Sequence, residues 1–344
     1  MNNPFSTSFG IEPTNYILRK DETKLIIDEF TSLNPSNFVY LITGVRGSGK
    51  TVLLSSISSL FKKENDWIVV NPMTKTNILE NIAGEIYENS NAKKLFIKKS
   101  ISFSFHGFSL SIHGETPVSS VTTLIKMMLE VIKKDNKRVL ITIDEVDNSP
   151  EMKTFVEVYQ NLLREQYPVF LLMTGLYENI YQLQDNKSLT FLYRAPKIFL
   201  NGIDIRSITY SYASILNIDI NEALELANLT KGYAYAYQLL GYLLVKNNKT
   251  KADKEILLEF DKCLAEYSYD KIYEDLSSFE IQIISNVNTN QEVKVEDLYK
   301  KLKVDQKYFS VYRDRLIKKG LFVAKHYGLI EFALPRFVEF LLFN

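Results

Sequence analysis

The chain has 344 residues, 46% hydrophobic and 24% charged, ordinary values for a globular protein of two or three domains. Lys+Arg and Asp+Glu both number 41, so net charge points to no nucleic-acid partner and any such surface must be local. A single cysteine, Cys263, excludes a disulfide framework within the chain, and with only His106, His113 and His326 beside it a zinc site is not expected.

The opening "MNNPFSTSFG" lacks the basic and apolar regions of a signal peptide, and no run approaches 18 apolar residues. A cytoplasmic protein with no membrane contact is therefore expected. Residues 38–43 read as a buried strand, and residues 50–63 as a helix with Val52, Leu53, Ile57 and Leu60 on one side. Between them stands G-x-x-x-x-G-K-T, from Gly44 to Thr51. That is the place for a P-loop, where free N–H groups and the positive end of a helix dipole face an anion. The expected nucleotide contacts are Gly44, Val45, Arg46, Gly47, Ser48, Gly49, Lys50, Thr51 and Val52. Lys50 would reach the β- and γ-phosphates of ATP, and Thr51 would hold Mg²⁺.

Residues 67–71 form a second strand and residues 78–87 a helix. Residues 100–114, "SISFSFHGFSLSIHG", alternate apolar and polar on both sides of His106-Gly107 and predict a β-hairpin, either a sheet extension or a partner-binding element. Helix 119–135 leads to "RVLITIDEVDN", and helix 151–166 leads to "VFLLMTG". Strands alternating with helices predict a parallel sheet with right-handed crossovers. Asp144 stands at a strand's C-terminal end, where open α/β sheets bind ligands, as a Mg²⁺ ligand through water. Glu145 is the candidate base that polarises the attacking water. Thr174 is a hydroxyl at the same edge, for catalysis or for capping the next turn.

Residues 203–268 contain no strand pattern and read as a helical cluster. From residue 276 three short amphipathic helices precede two strands round Tyr327-Gly328. That order makes a winged helix-turn-helix. Residues 299–327 hold nine Lys/Arg against Asp305 and Asp314, a local balance of +7. Lys307, Arg315, Lys318, Lys319 and Lys325 are the candidate contacts to duplex DNA; protein docking is the other use of such a module.

The order of motifs resembles an AAA+ ATPase, more narrowly the bacterial ATP-binding proteins related to archaeal ATPases and origin-recognition-type initiators. "TGVRGSGKTVLL" matches the P-loop, "LITIDEVDN" Walker B and "LLMTGL" sensor 1. The resemblance implies an α/β fold, a P-loop AAA+ parallel sheet with helices on both faces, a helical lid and a C-terminal winged helix. It implies four parts: an arm over residues 1–36 that cups adenine and includes Arg19, an ATPase core over 37–201, a lid over 202–270 and the winged helix over 271–344. It also implies an arginine finger in "TFLYRAPKIFL", here Arg194, reaching ATP held by a neighbouring subunit of a homo-oligomer. One departure stands out: Tyr235 occupies the place of the lid arginine that touches nucleotide. Tyrosine supplies neither permanent charge nor forked donors, so slow hydrolysis is expected. The function implied is an ATPase whose ATP or ADP state controls a DNA-binding winged helix, as in an initiator or mobile-element factor. The alternatives are a switch of the STAND type with the winged helix as a protein-docking latch, or a non-hydrolysing nucleotide-binding scaffold.

Overall fold

The computed structural model describes residues 3–8, 13–98, 103–106, 109–112, 120–185 and 189–343. The chain forms two compact units, one of Lys20–Thr43 and Leu53–Ile198, the other of Met1–Arg19, Gly44–Val52 and Phe199–Asn344.

From Lys20 to Phe199 the elements are α1 (Lys20–Thr31), β1 (Val39–Thr43), α2 (Lys50–Lys62), β2 (Trp67–Val70), α3 (Ile78–Glu88), α4 (Ser90–Lys98), β3 (Phe103–His106), β4 (Ser109–Ile112), α5 (Val121–Lys134), β5 (Arg138–Ile143), α6 (Pro150–Arg164), β6 (Val169–Gly175), α7 (Tyr177–Gln184), α8 (Thr190–Arg194) and β7 (Lys197–Phe199). The strand order is β2-β5-β6-β1-β7, with the β2–β5, β5–β6 and β6–β1 pairs parallel. Every residue of β1, β2 and β6 is buried, because a parallel sheet is covered on both faces. Alternate residues divide between those faces. Leu41, Ile141 and Leu171 pack with α3, α5 and α6, whereas Tyr40 and Phe170 meet Phe30 of α1. The expected α/β sheet is thus present. Helix α6 starts where Ser149 caps the Met152 N–H and Pro150 fills the first position, whose N–H needs no partner. The hairpin expected near residues 100–114 pairs Phe103 with Ile112 and His106 with Ser109; its turn lies outside the described residues.

The other unit is helical from α9 (Ile205–Leu216) through α10 (Ile220–Leu229), α11 (Ala234–Lys246) and α12 (Lys254–Leu264). A π-helical turn, Ala265–Tyr269, leads into α13 (Asp270–Glu274). Residues 3–8 belong here: the Phe5 ring meets Tyr212 and Tyr237. It can do so because position 241 is glycine, where a Cβ would lie 2.6 Å from that ring. The arm drawn over residues 1–36 is therefore not one piece, since α1 belongs to the sheet unit.

The C-terminal part runs α14 (Ser278–Ser285), β8 (Val293–Lys294), α15 (Val295–Lys301), α16 (Gln306–Lys318), β9 (Phe322–Val323), β10 (Leu329–Phe332) and α17 (Phe337–Phe343), with sheet order β8-β10-β9. This is the element order of a winged helix. Its basic residues differ from the sequence reading in one decisive place. Lys319 is buried and its ammonium donates at 2.9 Å to Glu280, itself 1% exposed. It is not a DNA contact. Burial pushes the Lys319 ammonium down to about 8, while the facing carboxylate favours its charge. Lys300, Arg313 and Lys325 are also tied to carboxylates, those of Glu296, Asp314 and Glu331. The Arg315 guanidinium lies 5.2 Å over the Tyr312 ring. Lys307 and Lys318 stand exposed on α16.

A stability prediction follows from the buried pair. Removing one partner strands the other charge, which costs about 3–5 kcal/mol. Lys319→Ala should therefore lower the urea midpoint strongly, whereas Lys307→Ala, at an exposed position, should stay within about 0.5 kcal/mol of wild type. Equal midpoints for the two variants would contradict the buried assignment.

Candidate nucleotide site

Residues 44–49 carry the turn from β1 into α2. Gly47 has φ +73° and Gly49 φ +91°, both in the left-handed region that glycine adopts without strain. Gly47 is required on a second ground: a Cβ there would lie 2.3 Å from the Tyr233 hydroxyl. Lys50 Nζ donates to the carbonyls of Gly44 (3.0 Å) and Val45 (2.9 Å), so its ammonium is held over the loop. Ser48 Oγ is buried and has no hydrogen-bond partner among the described residues. Thr51 and Val52 are half-buried at the start of α2.

The loop's own carbonyls are taken up by other parts of the same unit. The Tyr233 hydroxyl donates to Arg46 O at 2.7 Å, and the Tyr235 N–H to Gly47 O at 3.1 Å. Arg19 Nη2 donates to Ser48 O at 3.0 Å and to Asn201 O at 2.8 Å. The side chain of Arg46 pairs with Asp275 at 3.3 Å, and Val45 packs against Gly320, just beyond α16. Sequence reasoning singled out Arg19 and Tyr235 but missed Tyr233, Asn201, Asp275 and Gly320. Only the aromatic run "KGYAYAY" could have signalled Tyr233.

In the sheet unit, β1, β5 and β6 end at one edge, since Thr43 pairs with Gly175 and Ile143 with Met173. Thr174 is fully buried and its hydroxyl donates to Asp144 Oδ1. The Glu145 N–H donates to Asp144 Oδ1 at 3.1 Å and to Thr174 Oγ1 at 3.2 Å. These bonds hold Glu145 at φ +55°, a left-handed conformation that costs a non-glycine residue about 1–2 kcal/mol. The Glu145 side chain remains exposed. The structure thus brings Asp144, Glu145 and Thr174 together. Arg194 ends α8 on the surface.

Two glycines at positive φ, with Gly47 at a point where a Cβ would strike Tyr233, a buried hydroxyl without a described partner and one ammonium fit the phosphates of a nucleotide. The Thr51 hydroxyl, next to Lys50, is a hard oxygen donor of the kind Mg²⁺ takes. No group of three or more His, Cys, Asp or Glu able to hold a metal occurs among the described residues. No described helix is long and apolar enough to cross a membrane.

Residues 24–174 match the family described as an ATPase domain predominantly from Archaea, and residues 269–341 match a domain family of unknown function. No curated protein matches the sequence. Among solved structures, the chain resembles the Walker-type ATPase of Pyrococcus abyssi, with TM-score 0.62 and 15% identity over 95% of this chain and 96% of that one. The Aeropyrum pernix ORC2 protein, solved as ADPNP-ADP complexes, aligns with TM-score 0.57 and 15% identity over 97% and 96%. CDC6P from Pyrobaculum aerophilum aligns with TM-score 0.50 and 15% identity over 98% and 96%. At that identity the likeness is one of fold.

Proposed function

We propose that this chain, an AAA+ P-loop ATPase related to archaeal ATPases, works as a slow ATP-hydrolysing switch whose nucleotide state is passed to its C-terminal winged helix. The observation that carries this reading is the grip on the loop: Arg46 is bonded through its carbonyl to Tyr233 and through its guanidinium to Asp275, while Val45 packs on Gly320. A phosphate that draws Lys50 away from the Gly44 and Val45 carbonyls must disturb those same residues. MgATP is the proposed ligand, with Thr51 and Asp144 at the metal, Glu145 polarising water, and Arg194 acting on a neighbouring subunit in an ATP-bound homo-oligomer. Tyr235 in place of a lid arginine supports a slow reaction.

Duplex DNA as the target of the winged helix is the second reading, favoured by exposed Lys307 on α16. It is weakened by the carboxylates paired with Lys300, Arg313, Lys319 and Lys325. The test is limited proteolysis with light scattering in apo, MgADP and Mg-ATP-analogue states. Nucleotide should change cleavage within residues 265–344 and the analogue should raise the oligomer mass. Identical patterns in all three states, with nucleotide bound, would overturn the switch. Salt-dependent binding of a duplex, with log K falling by about 0.9 per phosphate contacted for each decade of salt, would restore DNA as the target.

A further inference from the structure

We propose that Tyr233 is a positioning residue of the phosphate cradle, acting through the carbonyl of Arg46. The inference rests on the reading of residues 44–51 as a nucleotide site and names what shapes that site from the lid.

Tyr233 is buried, with its hydroxyl 2.7 Å from Arg46 O and 2.6 Å from Ser268 Oγ. A carbonyl can only accept, so the single phenolic proton goes to Arg46 and the Ser268 hydroxyl must donate to Tyr233. The direction of the chain is thereby fixed: from Ser268, in the π-helical turn, through Tyr233, into the loop. Burial pushes the phenol's pKa well up, which keeps that proton in place at any working pH.

The consequence for the loop comes from peptide geometry. A trans peptide is planar, with its C=O and N–H pointing opposite ways. Holding the Arg46 carbonyl toward Tyr233 therefore turns the Gly47 N–H to the side away from the lid. The next two carbonyls are held likewise, that of Gly47 by the Tyr235 N–H and that of Ser48 by Arg19. The Ser48 N–H closes on Val45 O at 3.2 Å, and the Gly49 N–H points away from Arg19. With the Ser48 N–H taken by Val45, the N–H groups of Gly47 and Gly49 are the ones this arrangement turns toward an anion. Of the three anchors, Tyr235 acts through backbone and Arg19 carries charge. Only the Tyr233 anchor can be removed by an isosteric side-chain change that alters neither.

The test uses the full chain and three variants, with ADP and inorganic pyrophosphate titrated by calorimetry below the melting temperature of each. Removing one hydrogen bond worth about 0.5–1.5 kcal/mol corresponds to about a two- to tenfold change in affinity. Tyr233→Phe should weaken ADP and pyrophosphate by the same factor in that range. Ser268→Ala should act in the same direction and add nothing when combined with Tyr233→Phe. Tyr212→Phe removes another buried hydroxyl, one that donates to Tyr237 O at 2.7 Å; it should lower the melting temperature and leave both affinities unchanged. Wild-type affinities in Tyr233→Phe, with melting lowered as in Tyr212→Phe, would make Tyr233 merely structural and overturn the inference. A loss confined to ADP, with pyrophosphate unaffected, would overturn it too. Wild-type protein that takes up neither ligand would overturn the nucleotide reading itself, and this inference with it.

Discussion

Lys50→Ala is expected to abolish detectable ATP and ADP binding. The ammonium is the one cation carried by the loop's G-K-T end, and charge-assisted bonds from it to two phosphates would be worth about 1.5–3 kcal/mol each. Their loss together corresponds to about a hundred- to ten-thousandfold fall in affinity. The same ammonium now bonds the Gly44 and Val45 carbonyls, so the variant also frees the start of the loop. Calorimetric titration should be accompanied by a melting curve. A folded Lys50→Ala protein with near-normal nucleotide affinity would mean that residues 44–51 are not the site.

The loop was legible because its backbone demands are local. Gly47 and Gly49 sit at positive φ, and no other residue type meets that need without strain. The strands β1, β5 and β6 were legible for a similar reason: burial on both faces leaves short continuous apolar runs. What grips the loop was not legible. The Tyr235 N–H acts through backbone and leaves no side-chain signature, and Tyr233 lies 187 residues from the carbonyl it holds. Lys319 shows the limit of counting charges along a chain. Its partner Glu280 lies 39 residues upstream, outside the basic window, yet meets it in the folded core. Glu331, which neutralises Lys325, lies just past the other end of that window. Helix α1 was within reach, since Thr23, Ile26 and Phe30 are buried at helical spacing. The resemblance drew those residues into an arm instead. The two-residue strand β8 is too short for any periodicity to reveal.

Glu145→Gln is expected to retain MgATP and stop turnover. The amide keeps the shape and hydrogen-bonding reach of the carboxylate but cannot take a proton from water. The backbone at this position makes the substitution a clean one. Glu145 is held at φ +55° by its own N–H, which bonds Asp144 Oδ1 and Thr174 Oγ1, and those bonds do not involve its side chain. Glutamine inherits the same conformation at the same cost. Loss of a general base slows a reaction by about 10²–10⁴, enough to bring the slow hydrolysis proposed above below detection. Filter-bound ATP and released phosphate, measured on the same sample, should show a nucleotide taken up and not consumed. Thr174→Val sharpens the assignment. It removes the hydroxyl that joins Asp144 to the Glu145 N–H while keeping shape, so turnover should fall with ATP binding retained, and Thr174→Ser should restore it. If Glu145→Gln loses binding together with turnover, the carboxylate serves the metal or the fold, and the water must be activated by another group.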